Sequence, residues 1–426
     1  MRTACGLRAL PAPQLLRSAA VLHACQSDLL LGGVRALLGP RALPLVGLAA
    51  ARFARATVFR QFVAGESLAE VAAAAKELKV SGIRCIVDHS TEESEAASAR
   101  ALNLQAKLNM LSTVSHELDE RCAFVPVKLT ALVSPALLER ITAVVEGQPL
   151  LAGNGTDLPA VIDAAQLLPA ERADLEDSFD ALHALCGRAS AVGIGLLFDA
   201  EQTHRQPAIH LIARLLMREW NRGALTVVYD THQAYLVGTR ERIQAELELA
   251  QLHGYTLGVK LVRGAYRATE MARGSTRLQP SKEATDDEYD RCAALLLEAA
   301  LRPLAPKVCS SATAPFVRDP FHDFELEKSQ SSKAVEKPNA EARFSSLAVS
   351  IKTPVSSPSP TTASLILATH NRPSTFAVAD ALLTLGQPLN HQGVHFAQIL
   401  GENMIGQPPH GQAHLPALQQ SKSTAP

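Results

Sequence analysis

Aromatic and charged side chains are both scarce in this chain of 426 residues, at 4% and 19% of the sequence. The 41 basic and 42 acidic residues nearly cancel, to a net charge of -1. This balance argues against a nucleic-acid binder that works through bulk charge and against an acidic disordered chain. Uncharged apolar stretches fall short of the roughly 18–20 residues that a membrane span needs. Apolar residues still make up 47% of the chain, which is enough for a large core.

Several motifs are also missing. The seven cysteines are scattered and contain no C-x-x-C pair, so buried thiols in a reducing compartment are expected rather than a disulfide scaffold or a zinc ribbon. Neither G-x-G-x-x-G nor G-x-x-x-x-G-K-[ST] occurs, which disfavours a doubly wound nucleotide-binding sheet. No H-x-H or H-E-x-x-H spacing occurs either, so no metal site is predicted.

Residues 1–57 are rich in arginine, alanine and leucine, contain no lysine and hold a single acid, Asp28. This composition is typical of a mitochondrial transit peptide. A secretory signal fits less well, because the arginines recur along the segment instead of preceding one apolar stretch. An ordinary amphipathic helix of the fold is the alternative. We therefore expect a helical N-terminal region and a mitochondrial location.

From residue 58 onward, short apolar runs alternate with helical patterns. The predicted strands are Arg84–His89, Ala123–Leu132, Gly193–Glu201, Leu225–Gln233, Leu257–Tyr266, Leu365–Asn371 and Val394–Leu400. The predicted helices are Ser67–Lys79, Ala170–Ala191, Pro207–Trp220, Arg240–His253, Lys282–Leu301 and Ser374–Leu385. Alternating strands and helices indicate parallel β/α units, and continuous apolar runs indicate strands covered on both faces. The pattern predicts a (β/α)8 barrel, with its chemistry at the carboxyl ends of the strands.

Polar residues end most of these strands, and the residues alone leave three chemistries open. A Schiff-base aldolase would use Lys128 or Lys260 as its amine. A metal-dependent hydrolase lacks supporting ligand spacing. Its candidate ligands are Asp88, His89, Asp199 and His370. A flavin or nucleotide site is the third reading.

The stretch from Lys260 to Tyr266 suits that third reading. Lys260 and Arg263 bring positive charge to one strand end. Gly264 and Ala265 allow backbone N–H groups to approach an anion, and Tyr266 offers an aromatic face. The stretch is short, and a solvated turn would have the same composition.

Plainer interpretations exist for other strand-end residues. Asp199 and Glu201 would share one face of their strand, so that one could be catalytic and the other merely solvated beyond the strand end. His370 could be a satisfied turn residue. Three further histidines, His89, His204 and His232, are interpreted as surface or core residues.

Six segments taken together are more specific: LGVKLVRGAY, LLFDAEQTHRQPAI, VPVKLTAL, YDTHQAYL, LATHN and FAQILG. With their β/α spacing, the chain resembles the proline dehydrogenase (proline oxidase) family, including its hydroxyproline dehydrogenase branch. The resemblance covers about residues 58–300 and 364–401. It implies a distorted (β/α)8 barrel that binds FAD and oxidises L-proline to 1-pyrroline-5-carboxylate. It also implies ubiquinone as electron acceptor and a peripheral contact with the matrix side of the inner mitochondrial membrane.

The resemblance further implies roles for individual residues. Asp199 and Lys260 would be catalytic, Lys260 as a cation that stabilises charge on the reduced flavin. Lys128 would pair with the substrate carboxylate, and Asp88 would hold Lys128 in place. The substrate pocket would also include Tyr266 and Ile399. The implied cofactor-binding residues are Ala200, Gln233, Val262, Arg263, Gly264, Ala265, Thr369, His370 and Asn371.

The sequence divides into five segments. Residues 1–57 form the N-terminal region, 58–302 the first part of the barrel and 364–401 its continuation. Residues 303–363 are rich in Ser, Pro, Lys and Thr and are expected to be a disordered low-complexity insertion. Residues 402–426 form a divergent polar tail.

The tail bears on activity. In the family, the corresponding part carries an Arg-Arg pair that clamps the proline carboxylate, and residues 402–426 contain no arginine. The barrel is therefore expected to be incomplete at its C-terminal end, with an unpaired strand edge and reduced or absent turnover. Proline oxidation remains the leading function and hydroxyproline oxidation the alternative. A non-catalytic truncated isoform is the alternative of another class.

Overall fold

The computed structural model describes residues 12–30, 32–33, 49, 52–80, 82–88, 93–118, 122–146, 158–304, 346–351 and 360–400. The strands in these residues are β1 (Ile83–Asp88), β2 (Cys122–Val127), β3 (Gly195–Phe198), β4 (Val228–Gln233), β5 (Leu257–Val262), β6 (Ser346–Ile351), β7 (Ala363–Ala368) and β8 (Val394–Ile399). The helices are α1 (Ala12–Ala24), α2 (Leu68–Val80), α3 (Ala97–Leu118), α4 (Pro135–Val145), α5 (Leu158–Ala164), α6 (Pro169–Val192), α7 (Gln206–Trp220), α8 (Thr239–His253), α9 (Arg267–Ala272), α10 (Lys282–Leu301) and α11 (Arg372–Thr384). A π-turn, Arg55–Phe59, runs into the short helix Arg60–Phe62.

The described strands close into a barrel in the order β1-β2-β3-β4-β5-β7-β8-β6. Seven of them run parallel to their sequence neighbours, with a helix in each crossover. β6 is antiparallel to both strands beside it. The predicted α/β barrel is confirmed, and its parallel set is incomplete at the C-terminal end as expected, because the eighth position holds a strand of the opposite direction.

The expected unpaired edge at the end of the parallel set is wrong for the described chain. β6 pairs with β1 from Ile83–Ile351 to Asp88–Ser346, and it pairs on its other side with β8. Exposed N–H and C=O groups on two strand edges favour any strand that can reach them. The six residues of β6 belong to the 303–363 segment, whose residues 305–345 and 352–359 lie outside the described part, as does the tail after residue 400.

Local sequence signals account for many element boundaries. α2 begins after Ser67, whose Oγ accepts a hydrogen bond from the Glu70 backbone N–H at 3.3 Å, and the Ser-x-x-Glu spacing is typical of such a helix start. The strand predicted over Ala123–Leu132 ends early, at Val127. A 3-10 turn, Leu129–Ala131, follows it. Four helices, α3, α4, α5 and α9, were not predicted.

The strands divide the core into two layers, because successive side chains point to opposite faces. One face packs against the helices. The other fills the barrel interior with a smaller cluster, which consists of Ile86, Ala123, Phe124, Leu197, Tyr229, Ile366 and Ala397. Gly195 makes room for it, since a Cβ there would lie 2.6 Å from the Phe124 ring. Phe124 and Tyr229 lie in the amino halves of β2 and β4, so the interior is packed at that end and polar residues gather at the other.

The described cysteines are free thiols, and the N-terminal region contains a helix. Among the described cysteines, four are buried free thiols, as expected, and Cys25 is an exposed one. The helix α1 agrees with a helical N-terminal region, and its Ser18 donates a 2.7 Å hydrogen bond to Gln61 Oε1. Within the part of the chain that the structure describes, no helix combines the length and apolar character required to cross a membrane.

One buried histidine leads to a pH prediction. The His395 ring packs edge-on against Phe124, with ring centroids 5.2 Å apart, and burial lowers its pKa to about 3. An unfolded histidine titrates near pH 6.5, so below that pH the unfolded chain binds the extra proton and stability falls until about pH 3. This group should cost the native state about 2 kcal/mol between pH 7 and pH 5. In His395→Leu, the loss of unfolding free energy over this interval should be smaller by that amount in urea titrations.

The matched control for that prediction is Phe124→Leu, which alters the same ring pair without removing a titrating group. It should keep the wild-type difference between the two pH values. Parallel stability curves for wild type and His395→Leu would contradict the assignment.

Candidate active site at the carboxyl ends of the strands

Charged and amide side chains meet where the parallel strands end. Asp88 ends β1, Lys128 follows β2, Asp199 follows β3, Gln233 ends β4 and Lys260 lies near the end of β5. Parallel neighbours in a barrel place these ends on one rim. The structure therefore brings the sequence-predicted strand-end residues to one side of the barrel.

The two residues predicted to be catalytic form an ion pair. Lys260 Nζ donates to Asp199 Oδ1 at 2.6 Å. Their side chains are 19% and 25% exposed, so the pair is partly shielded from water but open to the barrel mouth. The pair places one positive and one negative charge side by side on the rim.

A second charged pair includes a residue that the sequence analysis missed, Lys107 on α3. Lys107 is 2% exposed. Its Nζ donates to the Pro126 carbonyl at 2.9 Å and lies 3.8 Å from Asp88 Oδ1. Burial lowers the pKa of Lys107 and raises the pKa of Asp88, while each charge opposes the shift of the other.

A signal for Lys107 exists in the sequence. It stands three, four and seven residues before the buried Met110, Leu111 and Val114. A lysine on the apolar face of a helical repeat must find a buried partner. The position was overlooked because helix α3 was not predicted.

Lys128 differs from the other two lysines. It is exposed at the start of the turn after β2, and the structure gives it no ion-pair partner among the described residues. The carboxylate of Asp88 lies closer to Lys107, and Lys128 influences the pKa of Asp88 less than burial, Lys107 or Asp199 do. With Lys107 and Lys260 paired, Lys128 carries the available positive charge on the rim.

Glu201 is not solvated beyond the strand end, so that interpretation is wrong. It is 4% exposed, and burial raises the pKa of its carboxyl. Its Oε1 accepts hydrogen bonds from the Thr130 hydroxyl at 2.9 Å and the Thr130 N–H at 3.3 Å. Its carbonyl accepts a 3.0 Å bond from Gln233 Nε2, which fixes the Gln233 amide at the rim.

Arg263 joins three elements at one end of this rim. Its Nε donates to Asp286 Oδ1 at 2.5 Å, and its two terminal nitrogens donate to Thr369 Oγ1 at 2.7 Å and Ser374 Oγ at 2.9 Å. The guanidinium also lies over the Tyr289 ring, 4.2 Å from its centroid. This side chain therefore ties β5 to α10 and to the start of α11.

The predicted residues Thr369, His370 and Asn371 form the turn into α11. Asn371 caps the helix, since its side-chain oxygen accepts from the Ser374 N–H at 3.2 Å. His370 Nε2 accepts from the Ile399 N–H at 3.2 Å. The amino end of a helix of 13 residues attracts anions. This turn and Arg263 together could hold a phosphate group.

The remaining predicted residues lie along the same side of the barrel. Ala200 is buried directly after Asp199, and Val262 ends β5. Ala265 donates its N–H to Gln233 Oε1 at 3.4 Å. Tyr266 is partly buried, and Ile399 at the end of β8 is 49% exposed. His89, a candidate metal ligand in the hydrolase interpretation, lies outside the described residues.

The model of the family described as proline dehydrogenase matches residues 71–314, more than half of the chain. The chain belongs to the proline dehydrogenase family. It is 32% identical over 267 residues to hydroxyproline dehydrogenase of Bos taurus, across 57% of this chain and 58% of that protein. It is 26% identical over 314 residues to mitochondrial proline dehydrogenase 2 of Arabidopsis thaliana, across 68% and 66%. The chain thus spans less than two thirds of the length of the bovine relative.

Similar folds are also found among solved structures. Proline utilization A from Bdellovibrio bacteriovorus, inactivated by N-propargylglycine, superposes with a TM-score of 0.56 at 16% identity. The match covers 91% of this chain and 32% of that one. At this identity the likeness concerns the fold alone, and it agrees with the barrel described above.

The role of Arg263 can be tested through stability. Arg263→Lys keeps the charge but loses the fork that reaches three partners. We expect the free energy of unfolding to fall by about 1–3 kcal/mol, because the buried Ser374 hydroxyl and the partly buried Thr369 and Asp286 acceptors lose their donor. Urea denaturation of the full chain measures the change. Arg267→Lys is the matched control, since Arg267 donates a 3.2 Å bond to the Gln279 carbonyl. An equal effect in both variants would contradict the role of Arg263.

Proposed function

We propose that this chain oxidises L-proline to 1-pyrroline-5-carboxylate with bound FAD and passes the electrons to ubiquinone. The observation that carries the proposal is the division of charge on the rim. Two of its lysines are paired, with Asp199 and with Asp88, and Lys128 is exposed and available. Such a rim offers the Lys128 ammonium group to a substrate carboxylate. The ion pair of Lys260 and Asp199 lies on the same rim and can face a polar ring of a cofactor.

The described residues fit a flavin dinucleotide by their chemistry. Lys260 presents a cation, and the buried Gln233 amide, held by the Glu201 carbonyl and the Ala265 N–H, lies beside it on the rim; both would suit the edge of a polar conjugated ring. Arg263 and the turn Thr369–Asn371 suit a pyrophosphate at a helix amino end. Between these two sets of residues, Gly264 has no side chain to cover its backbone. FAD, when bound, supplies the acceptor for the hydride that leaves C5 of the substrate.

The remaining work falls to side chains of this chain. Lys128 would pair with the substrate carboxylate as a point charge and so orient the ring. Asp88, held by Lys107, would keep a negative charge near Lys128 that limits the motion of its ammonium group. Tyr266 and Ile399 would cover apolar faces of the substrate. Lys260, positioned by Asp199, would stabilise negative charge that develops on the cofactor ring.

Hydroxyproline is the second candidate substrate, and a specific observation favours it. Four curated relatives named hydroxyproline dehydrogenase, from cattle, mouse, rat and human, are 31–32% identical to this chain. The Schizosaccharomyces pombe and Arabidopsis thaliana relatives named proline dehydrogenase are 25% and 26% identical over longer stretches. The added hydroxyl of hydroxyproline requires a polar partner in the pocket. The ratio of kcat/KM for hydroxyproline and proline therefore distinguishes the two substrate assignments.

The proposed location is the matrix side of the inner mitochondrial membrane, in peripheral contact with it. Three points support it. Several relatives carry mitochondrial in their names, residues 1–57 have a transit-peptide composition, and ubiquinone resides in that membrane. Import of the full chain into isolated mitochondria, followed by carbonate extraction, tests both parts.

The visible spectrum of the full chain, purified with added FAD, tests the activity. We expect a bound flavin band that bleaches anaerobically on addition of proline or hydroxyproline and returns with a soluble ubiquinone analogue. A bound flavin that neither substrate bleaches would overturn the substrate assignment. A folded chain without flavin would favour the non-catalytic isoform, and covalent trapping of Lys128 or Lys260 by borohydride would favour an aldolase.

A further inference from the structure

Four ionisable side chains meet on the outer face of β4, on the opposite side of the strand from Gln233. Asp230 and His232 alternate along β4 and so share the face that packs against the helices. His210 on α7 and Glu246 on α8 face them. All four are buried, with at most 6% of any one exposed, and one donor atom of each lies within 4.8 Å of the others.

The distances between these donor atoms suit a small ion. His232 Nε2 lies 3.7 Å from Asp230 Oδ2 and 3.3 Å from Glu246 Oε2. His210 Nδ1 lies 2.5 Å from Asp230 Oδ2. Tetrahedral zinc with bonds of about 2.0–2.1 Å requires ligand separations of about 3.3–3.4 Å. The 2.5 Å His210–Asp230 contact would open by about 0.8–0.9 Å, and a pair at the 4.8 Å limit would close by about 1.4–1.5 Å.

Several donor atoms in this cluster are unsatisfied. Asp230 Oδ1, Glu246 Oε1 and both ring nitrogens of His232 have no hydrogen-bond partner among the described residues. His232 Nε2 lies at ion-pair distance, 3.3 Å, from Glu246 Oε2. Buried polar atoms normally have a partner, and the unpartnered His232 Nε2 lies between the carboxylates of Asp230 and Glu246, so this atom indicates a ligand at the centre of the cluster.

Two neighbouring side chains, Arg214 and Gln206, would orient the protein side chains that bind such an ion. Arg214 NH1 lies 3.9 Å from Glu246 Oε1, and it therefore faces the carboxylate oxygen that His232 does not. This arrangement of Arg214 leaves Glu246 Oε2 for an ion. Gln206 Nε2, 3.4 Å from His210 Nδ1, limits the rotation of that imidazole.

A cavity of about 50 Å³ reaches the cluster from the surface. Its lining includes His210 and His232 together with Thr203, Thr239 and Arg242. Two of the four candidate ligands therefore border a cavity, although their side chains are buried in the fold.

We propose that His210, Asp230, His232 and Glu246 bind one zinc ion that fastens β4 to α7 and α8. Imidazole nitrogens are borderline donors and carboxylate oxygens are hard donors; zinc, a borderline-soft cation, accepts both, and the two carboxylates neutralise its charge. Four protein ligands close the coordination sphere, which is the arrangement of a structural site. The proposal is independent of the proposed activity. It departs from the sequence analysis, which predicted no metal and interpreted His232 as an ordinary histidine.

The metal content of the full chain tests this proposal. The chain is purified with stoichiometric zinc, passed through a desalting column and measured by elemental analysis. We expect one zinc per wild-type chain and a loss of affinity greater than about 100-fold in Asp230→Asn and in His232→Gln. His395→Gln, a substitution of another buried histidine, should retain the ion. Zinc should also raise the melting temperature of wild type and not of the two ligand variants.

A second measurement needs only the wild-type chain, because a buried variant can fail to fold. Zinc-edge X-ray absorption should show about four light ligands near 2.0–2.1 Å, two of them imidazoles. A chain without zinc, zinc retained in both soluble ligand variants, or sulfur ligands near 2.3 Å would each overturn the proposal. In those cases the cluster holds no metal, and the positive charges of Arg214 and a protonated His232 balance the two carboxylates.

Discussion

Gly264→Ala is expected to abolish flavin binding and to lower the free energy of unfolding by about 3 kcal/mol or more. Gly264 has φ +131°, and a Cβ at this position would lie 1.4 Å from Cδ1 of Tyr235. Tyr235 is 2% exposed and its N–H donates to the Arg263 carbonyl at 2.8 Å, so its ring has little room to move. Flavin absorbance and urea denaturation of the full chain measure the two effects separately.

The control for this prediction separates the cost of backbone strain from the cost of the steric clash with the Tyr235 ring. Gly274 also has a positive φ, +71°, but nothing lies within 4 Å of a Cβ placed there. Gly274→Ala should therefore cost about 1 kcal/mol, the ordinary price of a left-handed residue, and should leave flavin binding intact. Comparable losses of stability in both variants would show that collision with Tyr235 is unimportant. Full flavin binding by Gly264→Ala would show that the cofactor lies elsewhere.

Lys128→Met is expected to lower kcat/KM for proline by about 100-fold, which corresponds to roughly 2.7 kcal/mol of transition-state stabilisation. Lys128 is the rim lysine without an ion-pair partner among the described residues. Its substitution therefore removes the charge available to the substrate carboxylate without stranding a buried acid. Most of the effect should appear in KM, because the carboxylate is bound in the ground state as well as in the transition state. Steady-state kinetics with a soluble quinone analogue measure it.

Lys76→Met provides the comparison, since Lys76 is an exposed lysine on α2 and its loss should leave both constants within twofold of wild type. An unchanged KM in Lys128→Met would remove Lys128 from the substrate site. Loss of flavin in that variant, with normal stability, would instead place Lys128 beside the cofactor.

Periodicity and motif content predicted the main features of the rim. The polar residues at the ends of β1 to β5 could be identified because each follows a short apolar run, and a parallel barrel places all strand ends together. The pairing of Asp199 with Lys260 could not be derived from this pattern. It depends on which rotamers reach across the rim between strands that are not adjacent, and sequence spacing carries no information on that.

The antiparallel strand β6 could not be predicted from composition. Residues 303–363 have the composition of a disordered segment as a whole, yet six of them, Ser346–Ile351, pair with β1 and β8. The decisive interaction is between backbone groups of two strand edges and the segment that reaches them. Every non-proline residue offers those groups, so side-chain composition is a poor guide to them.

The sequence by itself determined the order of the seven parallel strands, the family and the rim that bears the polar residues, because these follow from local periodicity and from short continuous motifs. Only the tertiary structure decided which charges neutralise one another. Lys107 meets Asp88 from a helix, and His210, Asp230 and Glu246 meet from three separate elements. Burial makes such meetings consequential, because an ionisable group removed from water must find a partner, and the chain's path through space selects that partner.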